Sequence, residues 1–235
     1  MIAEVVVKKF FATCVCALLA VPLSSLCAHG ALWGTDASGD LSGNRTSHID
    51  GGIDATHGWA AGNFKISWKI SENDGTWTYV YSVTGGEKKD ISHFILEVTD
   101  DGQPLDILPG TDTEIDPDSP KTYSASDPSN PFMPNPIYGV KFDFGGDQVD
   151  YTIVTNRSPV YGVFYGKDGK DGGDWLVAWS SALGFDNYKT NDTLTATDFI
   201  VRPNGVCPIP AGVWLLGSGL MVLIRLRTRR KRNVP

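Results

Sequence analysis

The feature that most restricts the fold is a regular alternation of apolar and polar residues on both sides of a turn signal. Segments 64–70 and 77–83 place apolar side chains at every second position. Successive side chains of a β-strand point to opposite faces, so each segment is predicted to be a strand with one buried face. Between them stand Asn73, Asp74 and Gly75, residues that tolerate the positive φ required by tight hairpin turns. The sequence therefore predicts a β-hairpin over residues 64–83.

The same alternation recurs along the middle of the chain. Further strand candidates are residues 91–98, 137–144, 149–155, 159–166, 174–180 and 194–201. No segment there has the 3.6-residue apolar period of an amphipathic helix, and residues 31–60 carry only weak strand signals. Residues 109–136 hold seven prolines, a density that excludes a central strand and favours a long surface loop. We expect an all-β fold, an antiparallel two-sheet β-sandwich of jelly-roll-like type.

Charge divides the chain into three parts. Residues 31–205 hold 12 Lys and Arg against 26 Asp and Glu, whereas residues 1–30 and 206–235 together hold 8 against one. An acidic middle domain argues against nucleic acid as a partner, because binding phosphate needs a positive surface. Basic flanks beside apolar runs point instead to a membrane. No cysteine lies between residues 28 and 206, so the middle domain has neither disulfides nor a cysteine nucleophile.

The first 30 residues have the organisation of a secretory signal peptide. Lys8 and Lys9 precede a mostly apolar run over residues 10–19, and Pro22 and several small residues follow. Cleavage is expected after Ala28 or Gly30. The alternative is an uncleaved anchor helix, although the run is shorter than the roughly 20 residues that a membrane span needs.

The last 30 residues combine a stiff Pro-x-Pro segment, a short apolar stretch and a basic cluster. The cluster consists of Arg225, Arg227, Arg229, Arg230, Lys231 and Arg232. Residues 209–224 are marginal in length for a bilayer span, and the basic cluster would keep the end of the chain on the cytoplasmic side. Gly217 and Gly219 permit close approach of another membrane protein. An ordinary C-terminal anchor is the alternative.

This segment resembles the PEP-CTERM sorting signal, in the VPxPA-type variant found in Gram-negative bacteria that make extracellular polysaccharide. Besides the basic cluster, the motif comprises Cys207, Pro208, Ile209, Pro210, Ala211, Trp214, Gly217, Ser218 and Gly219. Cys207 departs from the pattern, because the variant usually has Val there. The resemblance implies recognition by an exosortase, a membrane cysteine transpeptidase, and cleavage near the Pro-x-Pro. Residues 31–205 would pass from the inner membrane to the cell surface or extracellular matrix.

The middle domain is also similar to uncharacterised ectodomains that accompany this signal, through residues 73–79 and 92–98. That similarity implies no activity. Glycoside hydrolysis would need two carboxylates about 5–10 Å apart, and nothing in the sequence places Glu72 or Glu97 in a cleft. The chain also lacks Gly-x-Ser-x-Gly and His-Glu-x-x-His motifs. We therefore expect a non-catalytic structural or binding protein, with a carbohydrate-binding module as the first alternative and a secreted hydrolase as the second.

Two sets of residues are candidates for binding. Asp168, Asp171 and Asp174 lie in a glycine-rich segment, and calcium favours carboxylates on flexible loops, although Asp-Gly pairs are equally typical of plain hairpin turns. Trp33 and Trp59 fall outside clear strands, so we expect them to be freer to be exposed and to stack on the sugar rings of extracellular polysaccharide. Apart from calcium, no cofactor is expected.

Overall fold

The computed structural model describes residues 32–85, 90–102, 105, 107–112, 115–143 and 145–204. The expected signal peptide (1–30) and the C-terminal motif (207–232) lie outside the described residues. Within the described ranges, no helix has both the length and the apolar character needed to cross a membrane.

The described residues form twelve β-strands and three short 3-10 turns. The strands are β1 (Ser42–Thr46), β2 (Ile53–Ala55), β3 (Lys65–Asn73), β4 (Thr76–Thr84), β5 (His93–Glu97), β6 (Lys121–Tyr123), β7 (Ile137–Phe142), β8 (Gln148–Thr155), β9 (Pro159–Gly162), β10 (Phe164–Asp171), β11 (Asp174–Ser180) and β12 (Ile200–Pro203). The 3-10 turns are His57–Trp59, Ser181–Gly184 and Ala196–Asp198.

The strands form three antiparallel sheets. The order is β1-β3-β4-β8 in a four-stranded sheet and β2-β11-β10-β5-β7-β6 in a six-stranded sheet, while β12 pairs with β9. The prediction of an all-β fold with antiparallel sheets is confirmed.

The predicted hairpin over residues 64–83 is present as β3 and β4. Asn73 pairs with Thr76, which leaves Asp74 and Gly75 as a two-residue loop. Both loop residues have positive φ, 50° and 78°, as a type I′ turn requires. The Glu72 carboxylate accepts a hydrogen bond of 2.6 Å from the Gly75 N–H and so fixes the turn.

Several strand predictions are wrong in extent. Residues 159–166, predicted as one strand, form β9 and β10, which belong to different sheets. Of the predicted strand 194–201, only residues 200 and 201 belong to a strand, β12. The preceding residues form a 3-10 turn, which the Thr195 and Asp198 side chains cap. Strand β6 lies inside the proline-rich region expected to be a loop. It is compatible with the prolines because it is an edge strand that needs a partner on one side.

A large hydrophobic core lies between the four-stranded and the six-stranded sheets. Aromatic side chains of the two sheets are in contact. The ring centroid of Tyr151 in β8 lies 5.1 Å from that of Phe94 in β5 and 4.8 Å from that of Phe142 in β7. Ile66 and Tyr81 of the four-stranded sheet are also fully buried in this core. Aromatic and β-branched side chains at alternate strand positions thus bury one face of each sheet.

A second core covers the other face of the six-stranded sheet. Its strand residues include Ile95 of β5, Tyr165 of β10 and Val177 of β11, and strands β6 and β7 contribute Tyr123 and Ile137. The covering residues come from non-strand segments, among them Met133 and Leu183. The centre of the six-stranded sheet is therefore buried on both faces, and all five residues of β5 are buried.

Candidate functional site

The predicted calcium ligands lie on the hairpin that joins β10 and β11. Asp171 pairs with Asp174 across the turn formed by Gly172 and Gly173, so the plain-turn interpretation accounts for this pair. Asp168 lies at a β-bulge and is buried, and its Oδ2 has no hydrogen-bond partner among the described residues. No three carboxylate, His or Cys side chains within the described ranges form a metal-binding group. Calcium at these residues stays a prediction.

Trp59 is a structural residue of the core. The prediction that Trp59 is freer to be exposed is wrong: its side chain has 0% exposure and packs against Phe64 with ring centroids 4.8 Å apart. The 3-10 turn His57–Trp59 directs the indole inwards although no strand carries it. A ring buried in this way has no face open to a sugar.

Trp33 belongs to a buried charged cluster around Glu97. The Glu97 carboxylate, 1% exposed, accepts hydrogen bonds from the Trp33 indole N–H (2.9 Å), the Tyr188 hydroxyl (3.0 Å) and the Val163 N–H (3.1 Å). Arg202 Nε lies 3.4 Å from the same carboxylate. The Glu97 cluster, as we call Trp33, Glu97, Tyr188, Lys189 and Arg202, thus joins the first described residues to the last strand.

Cations cover the Trp33 ring in this cluster. Lys189 Nζ lies 4.8 Å and Arg202 Cζ 5.6 Å from the ring centroid. Burial and the nearby Glu97 charge raise the pKa of Tyr188, so its hydroxyl remains a proton donor to Glu97. Both oxygens of the Glu97 carboxylate bind groups of the same domain, and the side chain is too buried to contact a substrate. The cluster therefore stabilises the fold, and sugar stacking on Trp33, which would displace Lys189, stays a prediction.

A cavity of about 510 Å³ lies beside β2, the edge strand of the six-stranded sheet. Three separate segments line it: residues 47–55, Ser181, and residues 195–198. Most of its lining side chains bear oxygen: the carboxylates are Asp50, Asp54 and Asp198, and the hydroxyls are Ser47, Ser181, Thr195 and Thr197. Its volume lies within the range typical of small-molecule sites, but its lining is far more polar.

The walls of this cavity are fixed by backbone contacts. At Gly52, φ is +80° and a Cβ would lie 1.9 Å from the Thr197 carbonyl oxygen, so only glycine permits this approach. Arg45 donates hydrogen bonds to the carbonyls of Ala196 (2.6 Å) and Phe199 (3.0 Å) and holds the third segment in place. The Asp198 carboxylate accepts hydrogen bonds from the Thr195 N–H (2.7 Å) and hydroxyl (2.8 Å).

Asp54 is one of the exposed carboxylates that line the cavity. Desolvation by the surrounding protein raises its pKa, the nearby Asp198 adds to that effect, and the polar groups of Ser181 and Trp179 act in the opposite direction. Sequence reasoning missed this cavity, because its residues come from distant segments with no common motif. The one local signal is the glycine pair at 51–52 beside Asp50, which has a positive φ of 61°.

In the comparisons with known proteins, no family model, no curated protein and no solved structure matches this chain.

Proposed function

We propose that this chain is an exported protein, sorted through its C-terminal segment by an exosortase-like transpeptidase, whose domain acts structurally or by binding at the cell surface or in the extracellular matrix. The observation that carries the proposal is the density of the motif in residues 207–232, where a Pro-x-Pro, an apolar stretch and a basic cluster follow one another. Its membrane anchorage in the inner membrane is transient, lasting until cleavage.

The position of the domain's last strand supports this proposal. Strand β12 ends at Pro203, and the Asn204 N–H donates a hydrogen bond of 2.8 Å to the Ser158 carbonyl. Three residues, 205–207, then precede Pro208. Cleavage near the Pro-x-Pro would therefore leave the pairing of β12 with β9 and the Glu97 cluster intact.

We further infer that the domain is a two-sheet β-sandwich of jelly-roll-like type. The aromatic contacts of Phe94 and Phe142 with Tyr151, which join the two large sheets, support this architecture. A sandwich with a buried core suits a domain that must persist outside the cell without disulfides.

The proposal is tested in a Gram-negative host that carries a working exosortase. The variant Pro208→Ala/Pro210→Ala, with residues 225–232 deleted, is compared with the wild-type chain and with the control Pro235→Ala, which leaves the motif intact. We expect the wild type and the control to reach the cell surface or medium, and the variant to be retained at the inner membrane. Equal export of all three chains contradicts the proposal.

Carbohydrate binding is the second candidate function, and the polar cavity beside β2 favours it. Carboxylates and hydroxyls close together are suited to hydrogen bonding with sugar hydroxyls, since carboxylates accept and hydroxyls both donate and accept. Calcium support through Asp168, Asp171 and Asp174 belongs to this candidate, and a calcium-dependent rise in Tm that is lost in Asp171→Asn would support it. No described feature favours a secreted hydrolase.

A further inference from the structure

We propose that the cavity lined by residues 47–55, Ser181 and residues 195–198 binds one sugar unit of a neutral or amine-bearing polysaccharide and rejects acidic sugars. This inference rests on the proposed binding role of the exported domain and assigns that role a site and a ligand class.

The chemistry of the lining selects a polyhydroxylated ligand. Asp54 is open to the cavity, and the Ser181 hydroxyl lies 3.5 Å from its Oδ1, so the two present an acceptor and a donor side by side. On the third segment, the Thr195 hydroxyl donates to Asp198 and is hydrogen-bonded at 2.7 Å to the Thr197 hydroxyl, so this pair offers mainly acceptor lone pairs to a ligand. Adjacent hydroxyls of a sugar ring can be bridged by such pairs, and a carboxylate acceptor gives the stronger, charge-assisted bond.

The charge of the lining selects against anions. Asp50, Asp54 and Asp198 contribute carboxylates, whereas the lining contains no Lys or Arg and a single imidazole, His48. Arg45 is not among the lining residues, and its Nε and both Nη atoms donate to backbone carbonyls. A uronic acid or a phosphate would therefore meet like charge, while a protonated amine would be attracted.

Two other ligand classes fit the cavity less well. A bound cation would need at least three convergent ligands, and the described residues contain no such group. An apolar peptide segment would need an apolar lining, yet few apolar side chains are present besides Ile53 and the 80% exposed Ile49. Ile49 suits the C–H face of a sugar ring, which is the apolar part of an otherwise polar ligand.

The cavity is preformed, which favours measurable affinity for a single sugar unit. Gly52 is in contact range of the Thr197 backbone, and the Thr46 N–H donates to the Gly51 carbonyl at 3.0 Å. These contacts hold the segments that line the cavity in place, so binding should cost little conformational entropy of the protein. Asp54 belongs to β2, an edge strand, but its side chain is exposed, so its replacement by Asn should leave the two cores intact.

The test uses the full-length chain, purified in mild detergent, on an array of three oligosaccharide classes: neutral hexoses, glucosamine oligomers with free amines, and uronic acid oligomers. The strongest binder is then titrated into wild type, Asp54→Asn and the matched control Asp186→Asn, which is exposed and outside the cavity. We expect binding to neutral or amine-bearing oligomers and none to uronic acids. Asp54→Asn should weaken binding at least about tenfold, the loss of one charge-assisted hydrogen bond, and the control should bind like wild type.

Three results would overturn the inference. They are absence of binding to every class, equal binding of uronic acid oligomers, and wild-type affinity of Asp54→Asn with an unchanged Tm. A titration with calcium chloride alone could give a fourth contradicting result. If the wild type binds calcium and Asp54→Asn does not, the cavity is a cation site. None of these results bears on sorting, since the mature C-terminus is measured separately and should be identical in wild type and Asp54→Asn.

Discussion

The two large sheets bury their side chains in different ways. In the four-stranded sheet, β3 alternates between buried residues such as Ile66 and exposed residues such as Lys69, so one face is core and the other is open to solvent. In the six-stranded sheet, β5 is buried on both faces, and its outer face is covered by non-strand segments instead of another sheet. Buried ionisable groups, Glu97 and His93 among them, lie on that outer face.

This difference shows that different interactions stabilise the two sheets. The four-stranded sheet requires only an apolar stripe along each strand, and its open face tolerates polar residues. On the outer face of the six-stranded sheet, a buried polar group without a partner is costly, and most of the polar atoms around Glu97 are paired, whereas His93 Nε2 has no hydrogen-bond partner among the described residues. We therefore expect polar substitutions there to be far more damaging than polar substitutions on the four-stranded sheet.

The largest effect is expected at the Glu97 cluster. Replacement Glu97→Gln leaves the buried Arg202 without its counter-charge, and breaking a buried pair in this way should lower the free energy of unfolding by about 3 to 5 kcal/mol. The matched change on the four-stranded sheet is Asp150→Asn, at an exposed position of β8, with an expected effect within about 0.5 kcal/mol. Urea denaturation of both variants measures the difference. A similar loss of unfolding free energy in Glu97→Gln and Asp150→Asn would contradict the proposed difference between the two sheets.

The second prediction concerns His93, the buried histidine of β5. Burial, with Lys141 and Lys167 nearby, lowers its pKa to about 4, while Asp143 and Asn130 oppose this shift. The folded protein therefore prefers neutral His93, whose usual pKa is near 6.5. Its stabilising contribution is complete above pH 6.5 and is lost as the pH falls toward 4, by up to about 3 kcal/mol.

His93→Gln removes this titration. We expect its unfolding free energy to depend less on pH between 6.5 and 4 than that of the wild type, whereas Lys69→Gln on the open face of the four-stranded sheet should retain the wild-type dependence. Denaturation curves at several pH values provide the measurement. An unchanged slope in His93→Gln would show that the histidine is not kept neutral by its surroundings.

The third prediction states where the two sheets should behave alike. Each has a hairpin with a two-residue loop, and Gly75 and Gly173 have φ of 78° and 105°. Because side chains disfavour positive φ, Gly75→Ala and Gly173→Ala should each cost about 1 kcal/mol or somewhat more. Thermal unfolding of both variants tests this. A negligible cost at either turn would mean that its loop relaxes to another conformation.

The smallest effect is expected at the far end of the six-stranded sheet, around Trp175. Lys167 Nζ and Lys170 Nζ lie 4.7 Å and 5.0 Å from the centroid of its ring. An exposed cation–π contact contributes about 0.5–1 kcal/mol, so Lys170→Ala should cost about 0.5 kcal/mol. A loss of several kcal/mol would indicate that this end is covered as tightly as the centre of the sheet.

The same contrast explains what the sequence could predict. The β3–β4 hairpin was predictable because one buried face produces alternation and the Asn-Asp-Gly segment marks the turn. Strand β1, Ser42–Thr46, has no apolar residue and exists because its backbone pairs with β3. Such pairing leaves no trace in a local apolar pattern.

The buried polar sites were less predictable. Glu97 appears in the sequence as one charged residue at the end of an apolar run, and its partners Trp33, Tyr188 and Arg202 are remote in the chain. Trp59 lacked a strand pattern, since a 3-10 turn carries it into the core. The cavity beside β2 depends on close backbone approach at Gly52, which only the assembled fold reveals.

The proposal that residues 207–232 are a sorting signal is tested most directly by mass spectrometry of the mature protein from a host with a working exosortase. The account predicts a domain that begins after the signal peptide and ends near Pro208 to Pro210, without the basic cluster. A mature chain that still carries residues 225–235 would contradict it.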